Sequence, residues 1–468
     1  MYYLRSIEKG LEKNPMAIVD LDTILHSERR GNEDLFTDER IFRMAAAFFR
    51  DFGIYFSGVA YLGEGANLWK GINNDPKYAN KKYETILAQH SGLAGSINSH
   101  FGNVFPHFMV WGIGDGVKEA IVIGKYISIF SEKAEEISIS VIDASREMLD
   151  AGVSYLNGIL SSRRIEVNLL TIHRPFEVVP YYLADIQKRM REVPTVHLIL
   201  GNTVFNETFP GIGLFDYRFI PLIRDCMRVG EPDVPSDVLV AGVHMIPESI
   251  VERQSAVAEI KSTYERFKSL VERNARRIIP DFEPRRIRLV FDTNSSQIQF
   301  QYRWNGKIIV LYSSGKHTVT EIQGKFHNGG LSIPTLGGVY VGKSGQHLVH
   351  FNSLSERFPN LDYKFGMVVA TPDDIRLSDD EYNQLIVVLR PALEHPGRSI
   401  ADYINRQMEI LREKPTELTE EQVSNQKILR ALSRLSDQVQ RKRFTYSPHP
   451  YDAPQGNQIG RLLQELVK

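Results

Sequence analysis

The stretch Met109-Val-Trp-Gly-Ile-Gly-Asp-Gly116, followed by Val141-Ile-Asp-Ala-Ser145, holds the residues best suited to chemistry. A glycine turn between a buried strand and a helix lets the backbone approach a ligand closely, and the helix start offers free N–H groups. A carboxylate at the tip of the next strand, Asp143, can accept hydrogen bonds from both hydroxyls of a ribose. The turn departs from the dinucleotide fingerprint G-x-G-x-x-G, because Val117 stands where the third glycine would fall. Asp115, inside the turn, opposes a negatively charged pyrophosphate. A ligand with a ribose and a positive centre fits better, which points to S-adenosylmethionine, held by Gly112, Gly114, Asp115, Gly116 and Asp143. The same residues also suit a plain strand–helix connection, with Asp143 as an N-cap before Ser145–Leu156.

The elements around this turn are expected to alternate. Short runs rich in Val, Ile and Leu mark strands at His107–Trp111, Ile137–Ile142, Ile165–Ile172, Thr195–Leu200 and Asp237–Val243. Helical stretches separate them, as in Lys118–Phe130, Met148–Leu160 and Tyr181–Arg191. That pattern argues an α/β fold with a doubly wound parallel sheet, whose ligands sit beyond the C-terminal strand ends. Asp115, Asp143 and the turn Gly201-Asn-Thr-Val-Phe-Asn206 all fall at such ends.

Four regions follow. Residues 1–105 read as a helical lid region, with Thr37 capping Asp38–Arg50 and an aromatic loop from Tyr55 to Trp69. That loop could line a pocket or simply staple the surface. Residues 106–245 form the cofactor-binding core. Residues 246–371 hold a charged helical region to about Pro280, then the strand-like runs Ile287–Trp304 and Lys307–Ser313 joined by Asn305-Gly306, a strong hairpin turn. A glycine-rich loop or hairpin and a final strand, Lys364–Thr371, complete that region. Residues 372–468 read as charged amphipathic helices, Ser378–Leu393, Ser399–Lys414 and Glu420–Arg441.

Composition narrows the class. A net charge of −1 argues against a dedicated nucleic-acid binder, and Arg441-Lys-Arg443 reads as a solvated helix end. Cys226 is the only cysteine, so neither an intrachain disulfide nor a cysteine-based zinc site is expected. The histidines lack metal-motif spacing, and no metal is expected. No apolar run reaches the roughly 18 residues of a membrane span. With no signal-peptide hydrophobic stretch after Met1, a cytoplasmic location is the expectation.

In this order the motifs resemble the histidine-specific N-alpha-methyltransferase family, S-adenosylmethionine-dependent enzymes of the ergothioneine-biosynthesis type. The resemblance spans roughly residues 50–371. The family turn LGSGxxEKT is similar to Gly112-Ile-Gly-Asp-Gly-Val-Lys-Glu119, and its GSTIGN turn to Gly201-Asn-Thr-Val-Phe-Asn206. Tyr61 in Tyr61-Leu-Gly-Glu-Gly-Ala-Asn-Leu-Trp69 resembles the tyrosine opening Y-x-x-x-G-S-x-L-F, and Pro76-Lys-Tyr78 resembles P-E-Y-Y. Thr320-Glu-Ile-Gln-Gly-Lys-Phe326 resembles T-E-[VI]-S-x-K-F, which lies on an inserted β-rich subdomain.

The resemblance implies a Rossmann-like class I methyltransferase sheet with a β-rich inserted substrate subdomain and helical N- and C-terminal additions. It implies methyl transfer to the amine of an amino acid or related small molecule, an in-line displacement in which orientation supplies most of the acceleration. Asn206 would hold the acceptor's carboxylate beside its amine, Tyr61 and Tyr78 would hydrogen-bond the amine, and Glu321 would recognise a cationic or N–H-bearing side chain. Gly201 would border the cofactor. Two departures bear on this picture. Gln323 replaces a family serine and reshapes the acceptor pocket, and Ile172-His-Arg-Pro-Phe-Glu177 replaces the adenine-binding G-D-F, leaving Glu177 as the substitute. The family has no counterpart to the C-terminal helices, which would serve a homo-oligomer or a partner.

Other roles stay open at each position. Asn206 suits a left-handed turn, Glu321 a surface strand paired with Lys325, and Tyr78 ordinary helix packing. A methyltransferase fold that binds without catalysing, or one that methylates a peptide or protein, also accommodates the sequence.

Overall fold

The computed structural model describes residues 16–20, 37–53, 55, 57–74, 84, 87–88, 92–102, 104–130, 136–161, 166–174, 176, 179, 193–205, 219–228, 235–247, 250–293, 295–328, 331–342, 345–351, 363–372, 387 and 406. Tyr78, Glu177, Asn206, the helix expected at Tyr181–Arg191 and nearly all of the C-terminal helices lie outside the described residues, as does the side chain of Gln323.

Strand β1 (Met16–Asp20) precedes helices α1 (Asp38–Phe52), α2 (Glu64–Asn73) and α3 (Gly92–Phe101). The core alternates through β2 (His107–Trp111), α4 (Val117–Phe130), β3 (Glu136–Asp143), α5 (Arg146–Leu160), β4 (Glu166–His173), β5 (Thr195–Ile199), α6 (Phe219–Cys226) and β6 (Val238–Val243). Helices α7 (Ile250–Tyr264) and α8 (Lys268–Ile278) lead to β7 (Ile287–Asp292), β8 (Gln297–Trp304) and β9 (Lys307–Gly315). Helix α9 (Val319–Asn328), β10 (Leu331–Gly342), β11 (Gly345–Phe351) and β12 (Tyr363–Pro372) follow.

One sheet runs β1-β4-β3-β2-β5-β6-β12-β10-β11. The first six strands in that order pair in parallel, and β12 inserts antiparallel between β6 and β10. Within it, the order from β4 to β10, with β12 alone reversed, is that of the Rossmann-like class I methyltransferase fold. The central strands are covered on both faces, which explains their unbroken apolar runs: every residue of β2, β5 and β6 is buried. The strand order reverses between β2 and β5, the place where sheets of this kind take a ligand in a crevice at the C-terminal strand ends.

Two polar clusters inside this core are paired. Asp237 accepts from the Thr195 and Arg228 N–H groups at 2.7 and 2.8 Å. Trp111 Nε1 donates to His197 Nδ1 at 3.1 Å, which leaves the His197 proton on Nε2, 3.7 Å from Asp237. The last side chain of β2 is thereby fixed just before the glycine turn.

A smaller antiparallel sheet, β7-β8-β9, packs with α1, α2, α7 and α8 in a separate apolar cluster that includes Phe49, Phe267, Phe300 and Tyr312. Asn305 and Gly306 turn β8 into β9 with φ of 48° and 78°, as a two-residue hairpin requires. Three expectations change here. The N-terminal region is not wholly helical: the apolar run Met16–Asp20 pairs in parallel with β4 and extends the sheet. The run Ile287–Trp304 is two strands, broken where Ser296 adopts φ 52°. Thr320–Phe326 is helical rather than part of the β-rich sheet, because Thr318 and Glu321 form a capping box that starts α9. The glycine-rich segment is the β10–β11 hairpin. Among the described residues no helix is long and apolar enough to cross a membrane.

Asn274 of α8 ties the two parts of the smaller cluster together. Its buried amide donates to the carbonyls of Val59, Ala60 and Leu62 at 2.6, 3.0 and 3.4 Å. Asn274→Ala strips these buried acceptors of their donor and is expected to cost about 1–3 kcal/mol. Urea denaturation of the full chain checks it, and an unchanged midpoint would mean that water replaces the amide.

Candidate functional site

The site begins where β2 ends. Gly112, Gly114 and Gly116 hold φ of 72°, 57° and 74°, so three of five consecutive residues take a conformation that side chains disfavour. Steric contact adds a second constraint at Gly116, where a Cβ would lie 2.5 Å from the Gly152 carbonyl of α5. Gly112 N–H donates to Ile142 O at 2.8 Å, which ties the turn to β3 beside Asp143. Asp115 caps α4 by accepting from Val117 N–H at 3.3 Å, and its other oxygen accepts from the Asn73 amide at the end of α2.

Asp143 closes the cradle from the tip of β3. One carboxylate oxygen accepts from Ser145 N–H at 2.9 Å, just before Ser145 caps α5 through Met148 N–H. Burial pushes this carboxyl up to about 6, against backbone hydrogen bonds from Ser145 and Gly114 and the nearby His173.

Asp38, at the start of α1, joins the lid to this edge. It accepts from Gly63 N–H at 2.9 Å and Arg146 N–H at 3.4 Å, and lies 3.2 Å from His173 Nε2. Burial raises Asp38, but hydrogen bonds from His173, Glu147, Gly63 and Arg146 outweigh it and hold the carboxyl below its ordinary value. Glu147 moves the other way, raised by burial and by sharing a hydrogen bond with Asp38.

Aromatic side chains cover the cradle. The Trp69 ring lies 2.9 Å from where a Gly114 Cβ would be, and Phe176 lies 3.1 Å from the same point on Gly112. Tyr61 stands edge-on to Trp69 and shares a 2.7 Å hydrogen bond with Tyr312 of β9, while burial raises its hydroxyl.

On the far side of the crevice, Gly201 leads into a short helical turn, Asn202–Phe205, which meets the end of β9. Lys316 is fully buried there, its amine donating to Ser314 Oγ at 2.8 Å and Gly315 O at 3.1 Å. Burial holds that amine well below its ordinary range. Glu321 accepts from Thr318 N–H at 2.8 Å and Ser296 Oγ at 2.9 Å, and lies 3.6 Å from His317 Nδ1. His317, offset by burial and then helped by Thr318 and Ser296, brings its carboxyl down to about 2.

The described site residues thus fall into two groups along one sheet edge: Gly112–Gly116, Asp143 and Tyr61 on one side, Gly201 and Glu321 on the other. Sequence reasoning missed Asp38, His173, Lys316 and His317, and read Trp69 only as the end of an aromatic loop that could line a pocket. Asp38 and His173 meet across 135 positions with no local pattern to join them. His317 was discounted because it lacked metal spacing, although Thr318-x-x-Glu321 is a local signal for the cap beside it. Among the described residues no group of three or more His, Cys, Asp or Glu could hold a metal.

No protein-family model and no curated protein matches the chain. Among solved structures, it is similar to magnesium protoporphyrin IX methyltransferase from Synechocystis PCC 6803 with bound SAH, at 9% identity and a TM-score of 0.32, over 70% of this chain and 100% of that one. A SAM-dependent methyltransferase from Methanosarcina mazei aligns at 9% identity and TM-score 0.29, over 60% and 98%. Geranyl diphosphate C-methyltransferase from Streptomyces coelicolor A3(2) aligns at 11% and 0.28, over 64% and 84%. The class of the fold rests on the strand order above.

Asp143 carries a pH signature. Its folded value, about 6, lies above the ordinary 3.8, so the folded state favours the protonated group. That stability is fully present below the unfolded value and is lost as pH rises through about 6. Asp143→Asn, of equal size and without charge, is expected to raise the unfolding free energy at pH 7 by up to about 3 kcal/mol and to change little at pH 3.5. Urea denaturation at the two pH values measures this; equal effects at both would show a hydrated carboxylate.

Proposed function

We propose that this chain is an S-adenosylmethionine-dependent methyltransferase acting on the amine of an amino acid or related small molecule. The observation that carries the reading is the pairing of a positive-φ glycine turn after β2 with the buried Asp143 at the tip of β3. When bound, S-adenosylmethionine supplies a sulfonium methyl that a neutral amine can displace. The cradle suits that cofactor: Asp143 keeps carboxylate acceptor capacity for ribose hydroxyls, and Asp115 places negative charge near a sulfonium rather than a pyrophosphate.

In this reading Gly112, Gly114, Gly116 and Gly201 let the backbone approach the cofactor. Tyr61, Asn206, Tyr78 and Gln323 are assigned to the acceptor by the motif resemblance alone. An amide at Asn206 would donate to a carboxylate while accepting from an amine.

Calorimetric titration with S-adenosylmethionine and S-adenosylhomocysteine tests the reading. Binding of both is expected, weakened about 100-fold in Asp143→Ala through loss of charge-assisted hydrogen bonds. Titration of that variant with wild-type affinity would remove Asp143 from the pocket. A fold that binds without catalysing is favoured by one observation, the packing of Trp69 and Phe176 directly on Gly114 and Gly112. Failure of wild type and Trp69→Ala alike to bind either compound would support it.

A further inference from the structure

The chain beyond β9 leaves its own sheet and crosses the C-terminal edge of the large one. Lys316 N–H donates to Ser296 O at 2.7 Å, and His317 forms a parallel bridge with Met245, just past β6. The His317 imidazole then packs edge-on against Phe205, with ring centroids 4.5 Å apart, at the end of the turn that follows β5. In a doubly wound sheet, the reacting end of a bound ligand comes to this edge.

His317 is only 1% exposed, and its Nε2 has no hydrogen-bond partner. Its Nδ1 faces Glu321 Oε2 at 3.6 Å, a separation that commonly tightens when a ligand binds. Glu321 cannot swing away, because Thr318 N–H and Ser296 Oγ hold its two oxygens. A fixed carboxylate beside Nδ1 selects the tautomer with the proton on Nδ1 and the lone pair on Nε2. Only glycine fits at 315, because a Cβ there would lie 2.6 Å from Nε2 and 2.5 Å from Phe205 Cβ.

We propose that His317 and Glu321 form a base dyad, in which His317 Nε2 takes a proton from the methyl acceptor and Glu321 orients the imidazole. The inference rests on the methyltransferase reading and narrows the acceptor to an amine that arrives as its ammonium. His317 Nε2 takes one proton from the ammonium and becomes imidazolium, which frees the nitrogen lone pair. The N–C bond forms as the S–C bond breaks, the sulfur keeps the electron pair as a thioether, and His317 returns its proton to solvent. Burial, with Lys316 and Lys325 nearby, holds His317 below the ordinary histidine range, while Glu321 works in the opposite sense. The imidazole is therefore neutral before the acceptor enters.

The test uses the full chain with ¹⁵N-labelled histidine, the His317 signals being identified by their loss in His317→Asn. At pH 7 the proton is expected on Nδ1 and absent from Nε2. Glu321→Gln, which keeps the capping box but loses the charge, should lower the pH at which His317 titrates. A proton on Nε2, or an unmoved titration, overturns the dyad. In parallel, S-adenosylhomocysteine release is followed with a mixture of the twenty free amino acids as acceptors. His317→Asn is expected to lower kcat about 100-fold while S-adenosylhomocysteine affinity stays within about twofold. In Glu321→Gln the acid limb of the kcat profile should move to lower pH. Wild-type turnover in His317→Asn also overturns the proposal. Absent S-adenosylhomocysteine binding instead sinks the methyltransferase reading, whatever the tautomer.

Discussion

Burial of the Asp143 carboxyl is the constraint around which the C-terminal edge of the sheet is arranged. A carboxylate taken out of water must be met by donors or carry a proton. Here the Ser145 and Gly114 N–H groups meet it, and each comes from a turn that the fold needs for other reasons. The Ser145 turn starts α5, and the Gly114 turn starts α4. Those helices pack on one face of the sheet, and Gly116 lets them approach so closely that no side chain fits between the turn and Gly152. Moving the carboxylate would therefore mean moving two helix starts.

The same edge couples the lid to the core by charge rather than by apolar area. Asp38 collects Gly63 N–H, Arg146 N–H and His173 at one carboxylate, so α1, the start of α2, α5 and β4 all meet there. At the other end of α2, Asn73 reaches Asp115, and between these anchors Trp69 rests on Gly114. Apart from the His173 imidazole, the partners of both acids are backbone or amide N–H groups. Such bonds hold position without the long-range strength of an ion pair, which suits an element that must let a ligand reach the turn beneath it.

Much of this was legible in sequence where the cause is local. Positive φ at Gly112, Gly114 and Gly116 follows from the turn itself, and the buried strands announce themselves because both faces of a parallel sheet are covered. The Asn305-Gly306 hairpin is likewise written in two residues. Misreadings arose where tertiary contact decides. Met16–Asp20 stands apart from the alternating strands and helices, and only the edge of β4 makes it a strand; Thr320–Phe326 is placed on a β-rich subdomain by resemblance alone, whereas Thr318 and Glu321 cap it as a helix. Asp38 and His173 carry no local sign at all, because their partnership exists only once β4 and α1 are side by side.

Glu321 shows why a residue can be found by sequence and still be given a different part. Its capping box is a local device that stabilises α9, and any Thr-x-x-Glu could supply it. What distinguishes this one is that His317 precedes the cap, bridged to Met245 just past β6 and packed edge-on against Phe205 in the turn after β5. The capping geometry therefore fixes a carboxylate beside an imidazole at the one edge of the sheet where reacting groups converge. Removing Glu321 would disturb helix and imidazole together, whereas glutamine separates the two by preserving the cap and discarding the charge. A stability requirement and a chemical one can thus share a side chain here because the hydrogen-bonding oxygens and the charge are separable properties.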